Sequence, residues 1–160
     1  MNIDAAKKEI REAHKLRAVM YHYLLEEMER AFGAEEAREV FKKATFRKGR
    51  DVRKQYEDFL TRGDFHGLAR HFVKASAAEG ELFSPAIESA DGEKAVLTMA
   101  GCPLVEAWKE LGLAPPRIKV LCEVAAAIDY GTFESEKTSL SFSSRIGAGD
   151  PCCRLTVAKK

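Results

Sequence analysis

Cys102-Pro103 and, fifty residues further on, Gly149-Asp150-Pro151-Cys152-Cys153 put thiols at the boundaries of predicted elements. A sulfur placed there can face a ligand instead of filling a core. Proline at a first helical position makes the preceding residue the N-cap, because its φ is fixed and it has no N–H to satisfy. Cys102 is therefore read as a helix cap, a place usually held by Ser, Thr, Asp or Asn. The positive end of the helix dipole and unpaired backbone N–H groups favour a thiolate there, and a thiolate attacks electrophiles or binds soft metals. The plainer reading is a small residue tucked under a turn.

Alternation separates the cysteine doublet. If residues 152–158 form a strand, Cys153, Leu155 and Val157 share one face and Cys152, Arg154 and Thr156 the other. Cys153 then points inward, with Asp150-Pro151 making the turn that delivers it. Cys122 falls on the apolar stripe of a helix with Ile118, Leu121, Ala125 and Ile128, where a free cysteine packs as a small hydrophobe. Asp129 follows two turns later, near the expected helix end. A carboxylate there opposes the dipole and needs a partner if buried; alternatively it is a turn residue bonded to the Tyr130-Gly131 backbone.

The histidines are weaker candidates. His14 and His22 are eight apart, and His66 and His71 five apart, so neither pair has the spacing that sets two imidazoles on one metal. His71, in Arg70-His71-Phe72, is the one that could reach a pocket. Trp108 reads as a core or pocket-wall residue.

The elements that must position these groups fall into two halves of one domain, residues 1–160. Residues 1–79 are helical. Asp4 is the expected cap of a helix carrying Ile10, Ala13, Met20, Tyr23, Leu24 and Met28 on its apolar side and ending near Gly33. Helices are expected over 34–47, stopped by Gly49, and over 51–62 and 64–78, the last capped by Asp64. In residues 80–160 the texture changes. Strands are expected over 81–89 and 94–99, joined through Asp91-Gly92, a strong hairpin signal. A helix from Pro103 to Leu111 and one from Pro116 to about Asp129 follow, then strands over 138–146 and 152–158. The expected class is α+β: N-terminal helices packed on a small antiparallel sheet of two β-hairpins, with a helix pair inserted between them.

Charge and compartment bound the function. With 26 Lys plus Arg against 25 Asp plus Glu, the whole chain offers no field for nucleic acid or an anionic membrane. The basic run at 42–54 reads as a solvated helix face. The charged N-terminus is unlike a signal peptide, and no apolar run reaches the length of a membrane span. A cytoplasmic location with reduced thiols is expected, so Cys102, Cys122, Cys152 and Cys153 read as free thiols, ligands or catalytic groups. The amphipathic first helix is a candidate homodimer surface.

From about Met99 to Val157 the chain resembles the family named for L-2-amino-thiazoline-4-carboxylic acid hydrolase. The resemblance is carried by Cys102-Pro103-Leu104-Val105-Glu106-Ala107-Trp108, Leu121-Cys122-Glu123, Ile128-Asp129-Tyr130-Gly131 and Gly149-Asp150-Pro151-Cys152-Cys153. The family's closing pattern is Gly-Asp-Pro-any-Cys, so Cys153 matches its cysteine. The resemblance implies opening of a 2-aminothiazoline carboxylic acid ring to N-carbamoyl-cysteine. That chemistry calls for an activated water or thiolate, a general base, and a cation for the substrate carboxylate. Cys102 or Cys153 with Asp129 would supply the first two, and Arg145 or Arg154 the third. Trp108, Cys122, Asp150, Arg145 and His71 are the residues expected around the substrate.

A second, weaker similarity, of architecture alone, is to small-molecule-binding domains related to the 4-vinyl reductase of bacteriochlorophyll synthesis. It implies a non-catalytic ligand pocket. A metal is not required; Cys102, Cys122 and Cys153 with Asp129 or a histidine would suit zinc or iron if they converged.

Overall fold

Asn2, rather than Asp4, caps the first helix: its Oδ1 accepts a hydrogen bond from the Asp4 N–H at 3.2 Å. The computed structural model describes residues 2–160. Helix α1 (Ile3–Phe32) ends where Gly33 takes φ 85°, and α2 (Ala34–Arg53) returns beside it. Helices α3 (Glu57–Arg62) and α4 (Phe65–Lys74) follow. Gly63 turns the chain in the left-handed region, and the Asp64 carboxylate accepts from the Gly67 N–H at 2.7 Å.

The apolar stripe expected for α1 is only partly inward. Ala18 and Leu25 are fully buried, and Tyr21 and Met28 pack behind them. Ile10, Leu16, Met20, Tyr23 and Leu24 remain exposed. The helix thus carries apolar residues on two faces, and periodicity alone selected a mixture of both.

Gly49 does not stop α2; it lies inside the helix. A glycine in a helix interior costs about 1 kcal/mol relative to alanine, and here close packing offsets it. Gly49 lies against Gly131 of α6 (Pro115–Phe133), so the two backbones approach without side chains between them. Threonines pin the same crossing. The Thr45 hydroxyl donates to the Val124 carbonyl at 2.6 Å, and the Thr132 hydroxyl to Gly49 at 3.2 Å. α6 also runs past its expected end, which places Asp129 within the helix rather than at its terminus.

The sheet is antiparallel, in the order β1 (Pro85–Ala90), β2 (Lys94–Met99), β4 (Cys153–Lys159), β3 (Thr138–Ser144). The Asp91 carboxylate closes the first hairpin by accepting from the Glu93 and Lys94 N–H groups. α5 (Pro103–Glu110) and α6 lie between the two hairpins, as expected for this α+β arrangement. The β2–β4 register sets Met99 opposite Cys153 and Leu97 opposite Leu155.

Two apolar clusters result. One joins α1, α2, α5 and α6 through Leu25, Phe41, Leu104, Trp108 and Leu121. The other joins α3, α4, the end of α6 and the sheet through Leu60, Phe65, Leu97, Phe133 and Leu155. Cys102 and Cys122 edge the first; Phe72, Met99 and Phe142 edge the second. No helix among the described residues is long and apolar enough to cross a membrane.

Candidate functional site

Residues from the rims of both clusters enclose a cavity of about 300 Å³. That volume falls at the lower end of the range for small-molecule sites. Cys102, Cys122, Asp129, Arg145, Cys153 and Trp108 all line it, drawn from α5, α6, β4 and the turn before β4. Residues up to 51 positions apart in sequence thereby share one space.

Each thiol is positioned by its element. Cys102 precedes Pro103 as the N-cap of α5 in extended conformation, although its side chain forms no capping hydrogen bond. Burial pushes its thiol pKa up, against a smaller opposing pull from the Val105 and Leu104 amides. The thiolate-favouring environment expected from the dipole is therefore outweighed by desolvation. Cys153 begins β4 and accepts from the Ile146 N–H at 3.4 Å. Burial raises its pKa as well. Cys122 sits under Gly147, where an added Cβ would come within 2.5 Å of Sγ. Burial moves its pKa up to about 11. All three thiols are thus proton-bearing at neutral pH.

Asp129 is the ionisable group whose protonation balances near neutrality. Enclosure by protein pushes its pKa up to about 7, with only the charge of Arg145 drawing it down. Asp129 lines the cavity and is only partly exposed, so a ligand there can reach a poorly solvated carboxylate. Arg145 does not clasp it. The Arg145 Nη2 donates to the Tyr130 hydroxyl at 3.1 Å, and the guanidinium lies 4.4 Å from the Phe142 ring centre. Arg145 also borders two outer depressions, so it stands where the cavity meets the surface.

Other sequence candidates lie elsewhere. His71 packs against Tyr56 and Phe59 on the second cluster, outside the cavity, with its Nε2 buried and unpartnered. Asp150 is exposed and shapes the turn: its carboxylate accepts from the Arg145 N–H at 2.7 Å, and its own N–H donates to the Arg145 carbonyl. Arg154 is held on the surface by two 2.6 Å hydrogen bonds to Glu88. Trp108 donates its indole N–H to the Ala18 carbonyl at 2.8 Å, so it offers a ligand only its apolar surface. Cys152 is absent from the cavity wall and Cys153 present, matching the alternation. Among the described residues, no three His, Cys, Asp or Glu side chains are grouped as metal ligands.

Sequence reasoning missed the wall supplied by the helical half. His14, Arg17 and Tyr21 of α1, Tyr56 before α3 and Phe72 of α4 all face the cavity. The segment Ala75–Ala77 and Phe83 close it, beside Ala78, Glu79 and Ser84, which take φ 53°, 56° and 46°. Such left-handed backbone at non-glycine residues is costly and clusters near functional sites. Tyr56 has the clearest retrospective signal, an aromatic between two charged stretches, but nothing in its spacing points to α6.

Residues 13–157 match the family described as L-2-amino-thiazoline-4-carboxylic acid hydrolase. The chain belongs to that family. Membership extends well beyond the motifs after Met99, taking in most of α1 and every cavity-lining residue from His14 to Cys153. No curated protein matches the chain. Among solved structures, the phenol-responsive sensory domain of the transcription activator PoxR, with phenol, aligns at TM-score 0.55 and 15% identity. The alignment covers 89% of this chain and 73% of that one. A trafficking protein particle complex subunit 3 from Naegleria fowleri, covalently bound to palmitic acid, aligns at TM-score 0.54 and 15% identity. There the coverage is 92% and 95%. At such identities these likenesses establish a shared fold.

Proposed function

We propose that this member of the L-2-amino-thiazoline-4-carboxylic acid hydrolase family opens a 2-aminothiazoline-4-carboxylate-type ring, with Asp129 handling the protons. The observation that carries this reading is an enclosed carboxylate with its pKa near 7, facing a thiol-rich cavity of small-molecule size. A general base works best when its pKa lies near the operating pH.

The ionised Asp129 takes a proton from water as the water oxygen bonds to the amidine carbon, and passes that same proton to the ring nitrogen as the carbon–nitrogen π pair moves onto it, which leaves Asp129 ionised again. Collapse of the adduct forms the carbonyl and breaks the carbon–sulfur bond. Sulfur leaves with the electron pair, and the hydroxyl proton passes through Asp129 to it. The product is an N-carbamoyl-cysteine. Arg145, at the cavity edge, supplies the cation for the substrate carboxylate. The raised pKa values of Cys102 and Cys153 favour this water route over a resident thiolate nucleophile.

The direct test is release of free thiol from 2-aminothiazoline-4-carboxylate by the purified protein. Asp129→Asn is the control, and turnover by the wild type that this variant lacks is the expected result. A second reading, a non-catalytic ligand pocket, is supported by the aromatic walls and by the phenol and palmitic acid carried by the two structures of similar fold. Ligand binding without any thiol release would favour it.

A further inference from the structure

Tyr56 is the cavity residue with the least explained polar atom. Its side chain is only 6% exposed and lines the same space as Asp129. Its ring is fixed by edge contacts with Phe133 and His71, both 5.0 Å between centres. Burial and the Asp129 charge push its pKa to about 12, and no hydrogen bond contributes. Its hydroxyl therefore keeps its proton at any physiological pH. Buried tyrosine hydroxyls ordinarily find a partner. Here two polar groups, one donor and one acceptor, line one cavity, and no hydrogen bond from the protein contributes to the shift of either. Tyr21, Phe72, Phe83, Trp108 and Phe142 give the same wall a large aromatic share.

We infer that Tyr56 and Asp129 together read an amidine edge, Asp129 accepting from an exocyclic amine and Tyr56 donating to the ring nitrogen, so that the cavity selects planar 2-amino heterocycles with an apolar body. The inference rests on the hydrolase reading for the placement of the ligand at Asp129. It goes further in assigning Tyr56 as a recognition residue and in making the carboxylate of the ligand dispensable for binding. A ligand that meets both groups at once offsets the free-energy cost that each carries while unpaired.

Calorimetric titration of the intact protein with three stable bicyclic probes tests this. 2-Aminobenzothiazole carries both features, benzothiazole lacks the amine, and benzothiophene lacks the ring nitrogen as well. Affinity should fall in that order, by about tenfold for loss of the amine and several-fold more for loss of the nitrogen. Tyr56→Phe, which keeps the ring packing, should weaken the two nitrogen-bearing probes by a similar factor and leave benzothiophene unchanged. Asp129→Asn should weaken 2-aminobenzothiazole alone. Equal affinity for the three probes in the wild type, or no binding of 2-aminobenzothiazole, overturns the inference, and this comparison stands even if Tyr56→Phe folds poorly. The probes are aromatic and are not hydrolysed. Selective binding without turnover of the thiazoline acid would leave the recognition intact and remove only the reaction.

Discussion

Gly49 of α2 lies so close to α6 that a Cβ on it would stand 2.1 Å from the Ile128 carbonyl oxygen and 2.9 Å from the Gly131 Cα. The reverse holds for Gly131, whose Cβ would stand 2.1 Å from the Phe46 carbonyl oxygen. This crossing bears on the site because Ile128 immediately precedes Asp129. The register of α6 that turns Asp129 toward the cavity is set by a contact on the opposite side of the same helical turn.

Gly49→Ala is therefore expected to destabilise, even though alanine is the better helix former. The methyl meets backbone, which cannot rotate away, so the helices must separate. Overpacking of this kind costs roughly 1–3 kcal/mol or more, against about 1 kcal/mol gained in helix propensity. Urea unfolding measures the balance; a variant more stable than the wild type would show that the crossing is looser than described.

Asp129→Asn should stabilise the protein at alkaline pH. The folded-state pKa is raised from 3.8 to about 7, so the wild type loses stability as pH rises from about 4 through 7 and the carboxylate ionises. The loss is complete above that window and absent below pH 4. Its size is on the order of 4 kcal/mol at most, at 1.36 kcal/mol for each tenfold change in proton affinity. Melting curves at pH 5 and pH 8 should show the variant gaining relative to the wild type at pH 8. An equal difference at both pH values contradicts an isolated buried carboxylate.

The cavity thiols should alkylate slowly. With burial moving Cys122 to about 11 from 9.0, its thiolate fraction at pH 7 falls about a hundredfold below that of an unperturbed cysteine. Cys102 and Cys153 shift in the same direction. Peptide mapping after iodoacetamide treatment should show all three labelled more slowly in the folded protein than in the urea-unfolded chain. Rapid labelling of Cys102 at pH 7 would restore it as a nucleophile.

Much of this arrangement is legible in the sequence where short-range rules act. Pro103 and Asp64 announced helix starts, Asp91-Gly92 the hairpin, and strict alternation in β4 separated Cys153 from Cys152. What escaped was set by contacts between distant segments. Gly49 reads as a helix stop because its reason for being glycine is the backbone of α6, far along the chain. Asp129 reads as a helix end for a similar reason, since Gly131 after it serves the crossing rather than a turn. Cys102 was correctly placed at a cap, but the dipole argument omitted the depth of the cavity, and desolvation is the larger effect. Tyr56 and Tyr21 could not be assigned to the site from spacing, because only tertiary packing brings the helical half over α6.

The pH dependence of thiol release from 2-aminothiazoline-4-carboxylate tests the central claim most directly. With Asp129 as general base, kcat/KM should rise with pH to a plateau, with a midpoint near 7 set by its folded-state pKa. Asp129→Asn should lower the plateau by about 10²–10⁴-fold and abolish that inflection. Wild-type turnover by Asp129→Asn, with the inflection unchanged, would contradict the account.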